Sequence, residues 1–454
     1  MINRMTGATA LINDEASPRR TASHERNDTM YRTNTVELVV DKETHKKLVE
    51  LGELSAKCWN EVNWLRMQQF KRGERVDFKT THRVAYHKYS DKLGADSTTQ
   101  VIRANTGAWK TFFILIKKKK RGELPNWFKP RPPGYWKNKD GSYKLIILFT
   151  HHQYELNEED RSIYLKRFKM TLKYLGTLKW HGKPRGLVIV YNPARKKWYA
   201  YIRVEVERPK PVEAGQRASV DLGIVNLATV YIEDGTWLLF KGGSVLSRFE
   251  HYVKKISRTA KLLARHKQKA SRRLKLLYDK RKRFMRHVIN SMVRKIMKEL
   301  KQRGVAELIV GYPTYIAIDT RNWRSIHFWR YGYTINRFKM LGEELGIRVV
   351  TVNESYTSVT CSLCGEVHPN GRIFRGLYKC PRTGQVINAD LNGAINILHI
   401  PESRGATGKT TPVARDRGNG PKARPVVYRW TNGAGWVATP TSNEVVRMKA
   451  VNHK

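Results

Sequence analysis

Apolar positions recur along the chain in two rhythms, and the changes of rhythm divide it. Val36-Glu-Leu-Val-Val40 reads as a short strand. After it Leu48, Leu51, Leu54, Cys58, Val62 and Leu65 fall at helical spacing and make one apolar face. Val101, Ala104, Ala108, Trp109, Phe112 and Phe113 predict a second helix, ending in Lys117, Lys118, Lys119, Lys120 and Arg121. From Tyr143 to Glu207 the pattern turns to strands at 145–149, 186–191 and 198–207, with Asn192-Pro-Ala-Arg-Lys-Lys197 as a hairpin loop. This predicts a small β-barrel interrupted by a helical insertion. A third region opens with strands at 217–222, 226–232 and 236–240, an antiparallel meander with Asp234-Gly235 at one turn. A helical stretch follows from Glu250 to Arg303, then strand Leu308–Tyr312, a helix near 328–345, strand Ile347–Asn353 and helix Asp390–Leu398. Three antiparallel strands followed by alternating helix and strand is the order of a ribonuclease-H-like α/β domain. Residues 1–34 are polar and patternless, and the Gly/Pro/Arg-rich tail from 401 to 454 is expected to be disordered or to fold only on RNA.

Charge changes this picture from a fold to a class of partner. Lys plus Arg number 86 against 39 Asp plus Glu, a formal net charge of +47, while hydrophobic content stays at an ordinary 40%. The excess charge therefore sits on folded surface and draws polyanions. The 250–303 stretch holds 20 Lys/Arg and three acidic residues. A helix so one-sided repels itself unless a polyanion lies on it, so Lys267, Lys269, Arg272, Arg273, Lys280, Arg281, Lys282, Arg283 and Arg286 are expected to contact nucleic acid. Lys117–Arg121, with Lys129 and Arg131 after them, read either as a solvated helix end or as a second such surface. No apolar run approaches the ~18 residues of a membrane span, and the first residues carry no signal-peptide core. The expectation is a soluble, cytoplasmic, nucleoid-associated protein, or a nuclear one in a eukaryotic host.

The chemistry-bearing residues concentrate near the C-terminus. Cys361, Cys364 and Cys380 cluster, Cys58 stands apart as a buried thiol, and in a reducing compartment the cluster reads as metal-binding. The spacing is that of a zinc ribbon whose fourth cysteine is Thr383; His368 can complete a Cys3His site, or the ribbon is degenerate and holds no metal. Glu354 precedes this cluster and Asp390 follows it at the start of an apolar helix crowded with Asn388, Asn392 and Asn396. Asp221 ends the first strand of the meander. Carboxylates at strand ends and at a helix start are what a two-metal phosphodiesterase needs, with two Mg2+ ions between them.

Asp221 in Val-Asp-Leu-Gly-Ile, the Thr-Ser-x-Thr-Cys-x-x-Cys-Gly run and the Asn-Ala-Asp-x-Asn-Gly-Ala-Ile-Asn-Ile helix together resemble the TnpB family, transposon-encoded RNA-guided nucleases related to Fanzor proteins and to miniature type V CRISPR effectors. The resemblance runs from about residue 36 to 400. It implies a wedge-like β-barrel at 35–50 and 141–215, a helical recognition domain at 51–140, a RuvC nuclease domain at 216–356 and 385–400, and a zinc-ribbon insertion at 357–384. It also implies one bound guide RNA per monomeric chain. A DNA target, met as duplex and as single strand, would be cleaved beside a short flanking duplex motif. Three departures stand out. Asn388-Ala389 replaces the Asp-Arg that usually precedes the last aspartate, the fourth cysteine is absent, and Gly311 stands where the middle glutamate belongs.

Three residues are candidates to replace that glutamate. Glu307 lies at the wrong end of its strand, Asp319 lies in the loop beyond Pro313, and Glu354 ends the neighbouring parallel strand. Glu354 is the best placed, because Gly311 clears the ground in front of it, and its position resembles that of Fanzor proteins and a subset of TnpB proteins. Asp221, Glu354 and Asp390 are then the expected catalytic, metal-binding set. Rival expectations are a nuclease-inactive RNA-guided DNA-binding repressor and a plain RNA-binding protein with a structural ribbon.

Overall fold

The computed structural model describes residues 28–439 except 125, 127, 139, 269, 313–327, 329, 355–356, 375 and 401–423. Two compact units emerge, one made of residues up to Arg208 together with Ala260–Leu276, the other of Pro209–Thr259 and Leu277 onward.

The first unit is built on a seven-stranded sheet of order β2-β6-β7-β1-β5-β4-β3, antiparallel throughout. Its strands are β1 (Thr29–Val39), β2 (Ile146–Thr150), β3 (Tyr154–Asn157), β4 (Ser162–Leu165), β5 (Met170–Leu175), β6 (Lys183–Asn192) and β7 (Lys197–Glu207). β2 and β3 occupy opposite edges yet are joined by the single turn His151–Gln153, so the sheet has to curl until its edges nearly meet. β1 buries every second residue, as a half-covered strand does. It begins at Thr29, so residues 29–34 are ordered strand and not part of a patternless arm. Between β1 and β2 lie α1 (Lys42–Lys71), α2 (Phe78–Leu93) and α3 (Ala95–Lys120). Asp41 and Asp77 cap α1 and α2, each accepting main-chain N–H bonds of the first turn. Strands β3–β5 and helix α2 have no counterpart in the periodicity reading, because their apolar runs are short. Cys58 is buried in the core, where burial pushes its thiol up to about 12, leaving it inert.

The second unit carries a sheet of order β12-β11-β8-β9-β10-β15-β16. β8 (Gln216–Asp221), β9 (Asn226–Ile232) and β10 (Trp237–Lys241) form the expected meander. The basic stretch after it is two helices, α4 (Gly243–Arg265) and α5 (Arg272–Gln302). β11 (Val305–Tyr312), α6 (Tyr331–Leu345) and β12 (Arg348–Asn353) follow, with β11 parallel to both β8 and β12. Side chains alternate across the sheet. Ala218, Val220, Leu308 and Val310 join α5 and α6 in one core, while Ile309 packs with α7 (Ala389–Leu398) on the other face. β13 (Leu377–Lys379) and β14 (Val386–Asn388) form a small hairpin leading into α7.

The tail expectation needs correction. Val426–Thr431 and Gly435–Ala438 form a hairpin, β15 and β16, and β15 pairs in parallel with β10. Tyr428 stacks on Phe240 with ring centroids 4.6 Å apart, and Trp430 and Trp436 join the α5 core. Among the described residues no helix is long and apolar enough to cross a membrane.

Candidate active site

Asp221 is the last residue of β8, level with Gly311 on β11, and Gly311 in turn pairs with Val352 on β12. Glu354 is two residues beyond Val352, and its main-chain N–H reaches the Tyr312 carbonyl at 3.4 Å. The chain thus leaves β12 toward the middle of the sheet, and the Glu354 side chain folds over the glycine. A methyl group added at Gly311 would lie 2.9 Å from Glu354 Oε2 and 2.6 Å from Ile397 Cδ1. The space that a side chain at 311 would take is already occupied.

Helix α7 brings the third carboxylate. Asn388 caps it, its Oδ1 accepting from the N–H groups of Asp390 at 3.0 Å and Leu391 at 3.1 Å. Ser219 donates to the Ala394 carbonyl at 2.6 Å and holds the helix against β8. Close approach requires Gly393, since a Cβ there would stand 2.7 Å from Asp221 Oδ2. The remaining asparagines are latches. Asn392 Oδ1 accepts from Ser362 N–H at 2.7 Å, and the amides of Asn392 and Asn396 donate to the Thr360 carbonyl at 2.8 and 2.6 Å. They fix Thr360 and Ser362 on either side of Cys361.

Two of the three carboxylates gathered in this way are held well above the ordinary carboxylate range. Burial, and then the charge of Asp390, pushes Asp221 up to about 7. Burial, and then Asp221, pushes Glu354 up to about 8. Glu354 Oε2 is buried without a hydrogen-bond partner. Crowded carboxylates with an unpartnered buried oxygen fit a cation-binding cluster. The donor set, three hard oxygen ligands, suits Mg2+.

Two residues around Asp390 have no counterpart in the sequence reading. Asn226, buried at the start of β9, donates Nδ2 to Asp390 Oδ2 at 2.5 Å. Arg372, from the loop between the cysteines, reaches Asp390 Oδ1 at 3.3 Å. Asn226 stands five residues after Asp221, and its polarity inside an apolar strand was the available signal. Arg372 gave none, because only the fold brings it there. Of the rejected candidates, Glu307 pairs with Arg348 four residues back along β11 from Gly311, and Asp319 lies outside the described residues.

The ligand atoms of Cys361, Cys364, His368 and Cys380 all lie within 4.8 Å of one another. Both turns have the same build. Gly365 N–H bonds the Cys361 carbonyl and Gly384 N–H the Cys380 carbonyl, each at 2.9 Å, and both glycines have positive φ. Main-chain N–H groups of Leu363 and Thr383 point at the sulfurs of Cys361 and Cys380, both at 3.4 Å. Cys364 Sγ lies 3.1 Å from His368 Nε2. Burial pushes the Cys364 thiol up to about 11. At Cys380 burial also pushes upward, but hydrogen bonds from Thr383 and then from Cys361 and Cys364 together outweigh it and bring the thiol down to about 6. A Cys3His cluster of this size can bind zinc.

Of the basic residues, Lys117, Lys118, Lys120, Arg121, Lys129, Arg131, Lys267, Arg272, Arg273, Lys280 and Arg283 are exposed and Lys119 is half-buried. Lys269 lies outside the described residues. Arg281, Lys282 and Arg286, also expected to contact nucleic acid, are half-buried, and Arg281 and Arg286 lie over the rings of Phe249 and Tyr333.

A family model described as "Probable transposase" matches residues 201–317, and one described as "Cas12f1-like, TNB domain" matches 331–397. The TnpB-like protein ORF457 of Acidianus two-tailed virus is 34% identical over 81% of this chain and 86% of its own length. The CRISPR-associated endodeoxyribonuclease Cas12f1 of Sulfoacidibacillus thermotolerans is 25% identical over 46% of this chain, which spans 51% of that relative. Among solved structures, a cryo-EM structure of a Cas12f1–sgRNA–target DNA complex shares the fold, with a TM-score of 0.51 at 15% identity over 80% of this chain and 84% of that one. With a third of its residues identical to ORF457 over four-fifths of its length, and with the fold to match, this chain belongs to the TnpB family.

Proposed function

We propose that the chain is an RNA-guided DNA endonuclease whose RuvC-type centre is Asp221, Glu354 and Asp390. The observation that carries this reading is Glu354 lying over Gly311 beside Asp221, with its outer oxygen unpartnered. The chain's own groups have clear tasks. Asp221 and Glu354 hold negative charge from neighbouring strands, α7 presents Asp390, and Asn226 and Arg372 keep that last carboxylate in one orientation. Two Mg2+ ions, when bound, would supply an activated water and charge for the leaving oxygen. Cys361, Cys364, His368 and Cys380 would hold one Zn2+, which ties the loop carrying Arg372 to the loop after Glu354. A guide RNA would read sequence by pairing, while the protein reads backbone shape and a short flanking duplex motif.

The organisation proposed with it is a wedge-like barrel at 35–50 and 141–215, a helical recognition part at 51–140, and the nuclease part with its ribbon beyond. The repressor alternative would follow if position 311 left the centre one carboxylate short, and Glu354 over that glycine supports the endonuclease reading instead. The test is direct. Full-length protein with its co-purifying RNA, given DNA matched to that RNA, should cut it in Mg2+ and not in EDTA. Tight, guide-dependent binding without cutting would replace this reading with the repressor.

A further inference from the structure

Four cations of the second unit are turned away from open solvent. Arg281 lies over the rings of Phe249 and Tyr278, 5.4 and 5.3 Å from their centroids. Arg286 on α5 and Arg330, just before α6, share the ring of Tyr333 at 5.8 and 5.5 Å. Lys282 sits with them, and all four are half-buried. Among the described residues the carboxylate acting on Lys282 is Asp279, which is already paired with Arg283 at 2.9 Å. Arg286 Nε is buried with no hydrogen-bond partner. Burial, followed by the Arg286 and Arg330 guanidiniums, lowers the Lys282 ammonium to about 8. Burial also lowers Arg281 and Arg330.

Partly desolvated like charges repel, and an uncompensated cluster is unfavourable unless an anion joins it. Planar guanidinium forks beside an ammonium suit the oxygens of a phosphate. The cluster's place gives the ligand's identity. Arg330 is followed at once by Tyr331, whose hydroxyl is pushed up by burial and then by the charges of Glu354 and Asp221. The ring of Tyr331 also stands 6.4 Å from that of Tyr312, which follows Gly311. One residue of the α6 start therefore faces the carboxylates while its neighbour faces the cations.

We propose that Lys282, Arg286 and Arg330 form a phosphate subsite beside the carboxylate centre, holding a backbone phosphate of the DNA strand brought there for cutting. The identity of the strand rests on the endonuclease reading; the anion site itself does not. Inorganic phosphate, titrated at constant ionic strength into the full chain with its RNA, should raise the thermal midpoint saturably. Lys282→Gln/Arg330→Gln should abolish that rise. The same double variant should bind a short single-stranded DNA, measured in EDTA, at least about tenfold more weakly, as expected for losing one or two charge-assisted hydrogen bonds. Its affinity for guide RNA should not change. Because the substitutions relieve repulsion, the variant's midpoint without anions should equal or exceed that of the wild type, which guards against misfolding. The exposed Lys280→Gln, which leaves the Asp279–Arg283 pair intact, should keep the phosphate response. No phosphate effect on the wild type, unchanged DNA affinity in the variant, or an equal loss of RNA affinity would each overturn the subsite. Phosphate and DNA effects as expected in a wild type that cuts nothing would uphold it and sink the endonuclease reading instead.

Discussion

Two clusters in the second unit each have a non-ligand residue where the resemblance to the TnpB family implies a ligand, Thr383 in the ribbon and Gly311 in the sheet, and on the proposed reading they differ in where the substitute comes from. In the ribbon, Thr383 stands in the cysteine's place, the turn around it keeps its N–H···S and glycine geometry, and His368 reaches in from the opposite turn, four residues after Cys364. In the sheet, Gly311 stands in the glutamate's place and Glu354 arrives from the next strand over. A tetrahedral zinc site accepts a ligand from either turn provided the atom arrives within a few ångströms, so a local change suffices. A carboxylate that must cross the ~4.8 Å between strands needs the intervening side chain removed as well. On the proposed reading, a carboxylate from 354 therefore requires a glycine at 311, whereas Thr383 and His368 do not depend on each other.

That separability makes the largest prediction. Cys364→Ser or His368→Ala should each lose the single zinc per chain and, because structural zinc contributes folding energy of roughly 10 kcal/mol, loosen the ribbon. Adding Thr383→Cys to His368→Ala should restore the metal, since the turn at 383 is already built. Metal analysis of the purified variants reads both outcomes, and no zinc in the wild type would leave the ribbon degenerate. The sheet should allow no such independence. Gly311→Ala places a methyl where Glu354 Oε2 and Ile397 now sit, so cleavage should fall on the order of 100-fold with guide-dependent binding intact. Equal cutting by Gly311→Ala would mean that Glu354 does not depend on the space above that glycine.

The smallest effect distinguishes carboxylates from thiolates by pH. Asp221 and Glu354 have folded-state values raised to about 7 and about 8 from ordinary values near 4. The metal-free folded state therefore keeps protons that the unfolded chain releases. Their contribution is most favourable below the unfolded values and is lost as pH rises from about 4 to about 8. Denaturation midpoints of metal-free protein should fall over that window, and Glu354→Gln should flatten the slope. A slope unchanged by Glu354→Gln would mean the two carboxylates do not share a site.

Much of this was legible in sequence for a physical reason. The meander, the parallel pairing of β11 and β12 and the helix at Asp390 rest on strong periodicity and on few possible connections. The β15–β16 hairpin was missed although Val-Val-Tyr-Arg-Trp-Thr alternates and Asn432-Gly433 marks a turn, because the composition of the surrounding tail outweighed six residues of pattern. The inward turn of Arg281, Lys282 and Arg286 was hidden for another reason: charge counts give no direction, and the rings of Phe249 and Tyr333, over which Arg281 and Arg286 lie, come from other elements. Arg372 on Asp390 is the extreme case, a contact made only when the ribbon folds.

The claim on which the rest depends is that Glu354 has taken over the role absent at Gly311. It is tested by cleavage of guide-matched DNA in Mg2+ by Glu354→Ala and Glu307→Ala, with guide-dependent DNA binding measured alongside. The account predicts that Glu354→Ala binds as the wild type does and fails to cut, while Glu307→Ala cuts normally. Wild-type cutting by Glu354→Ala would contradict it and turn the search to Asp319.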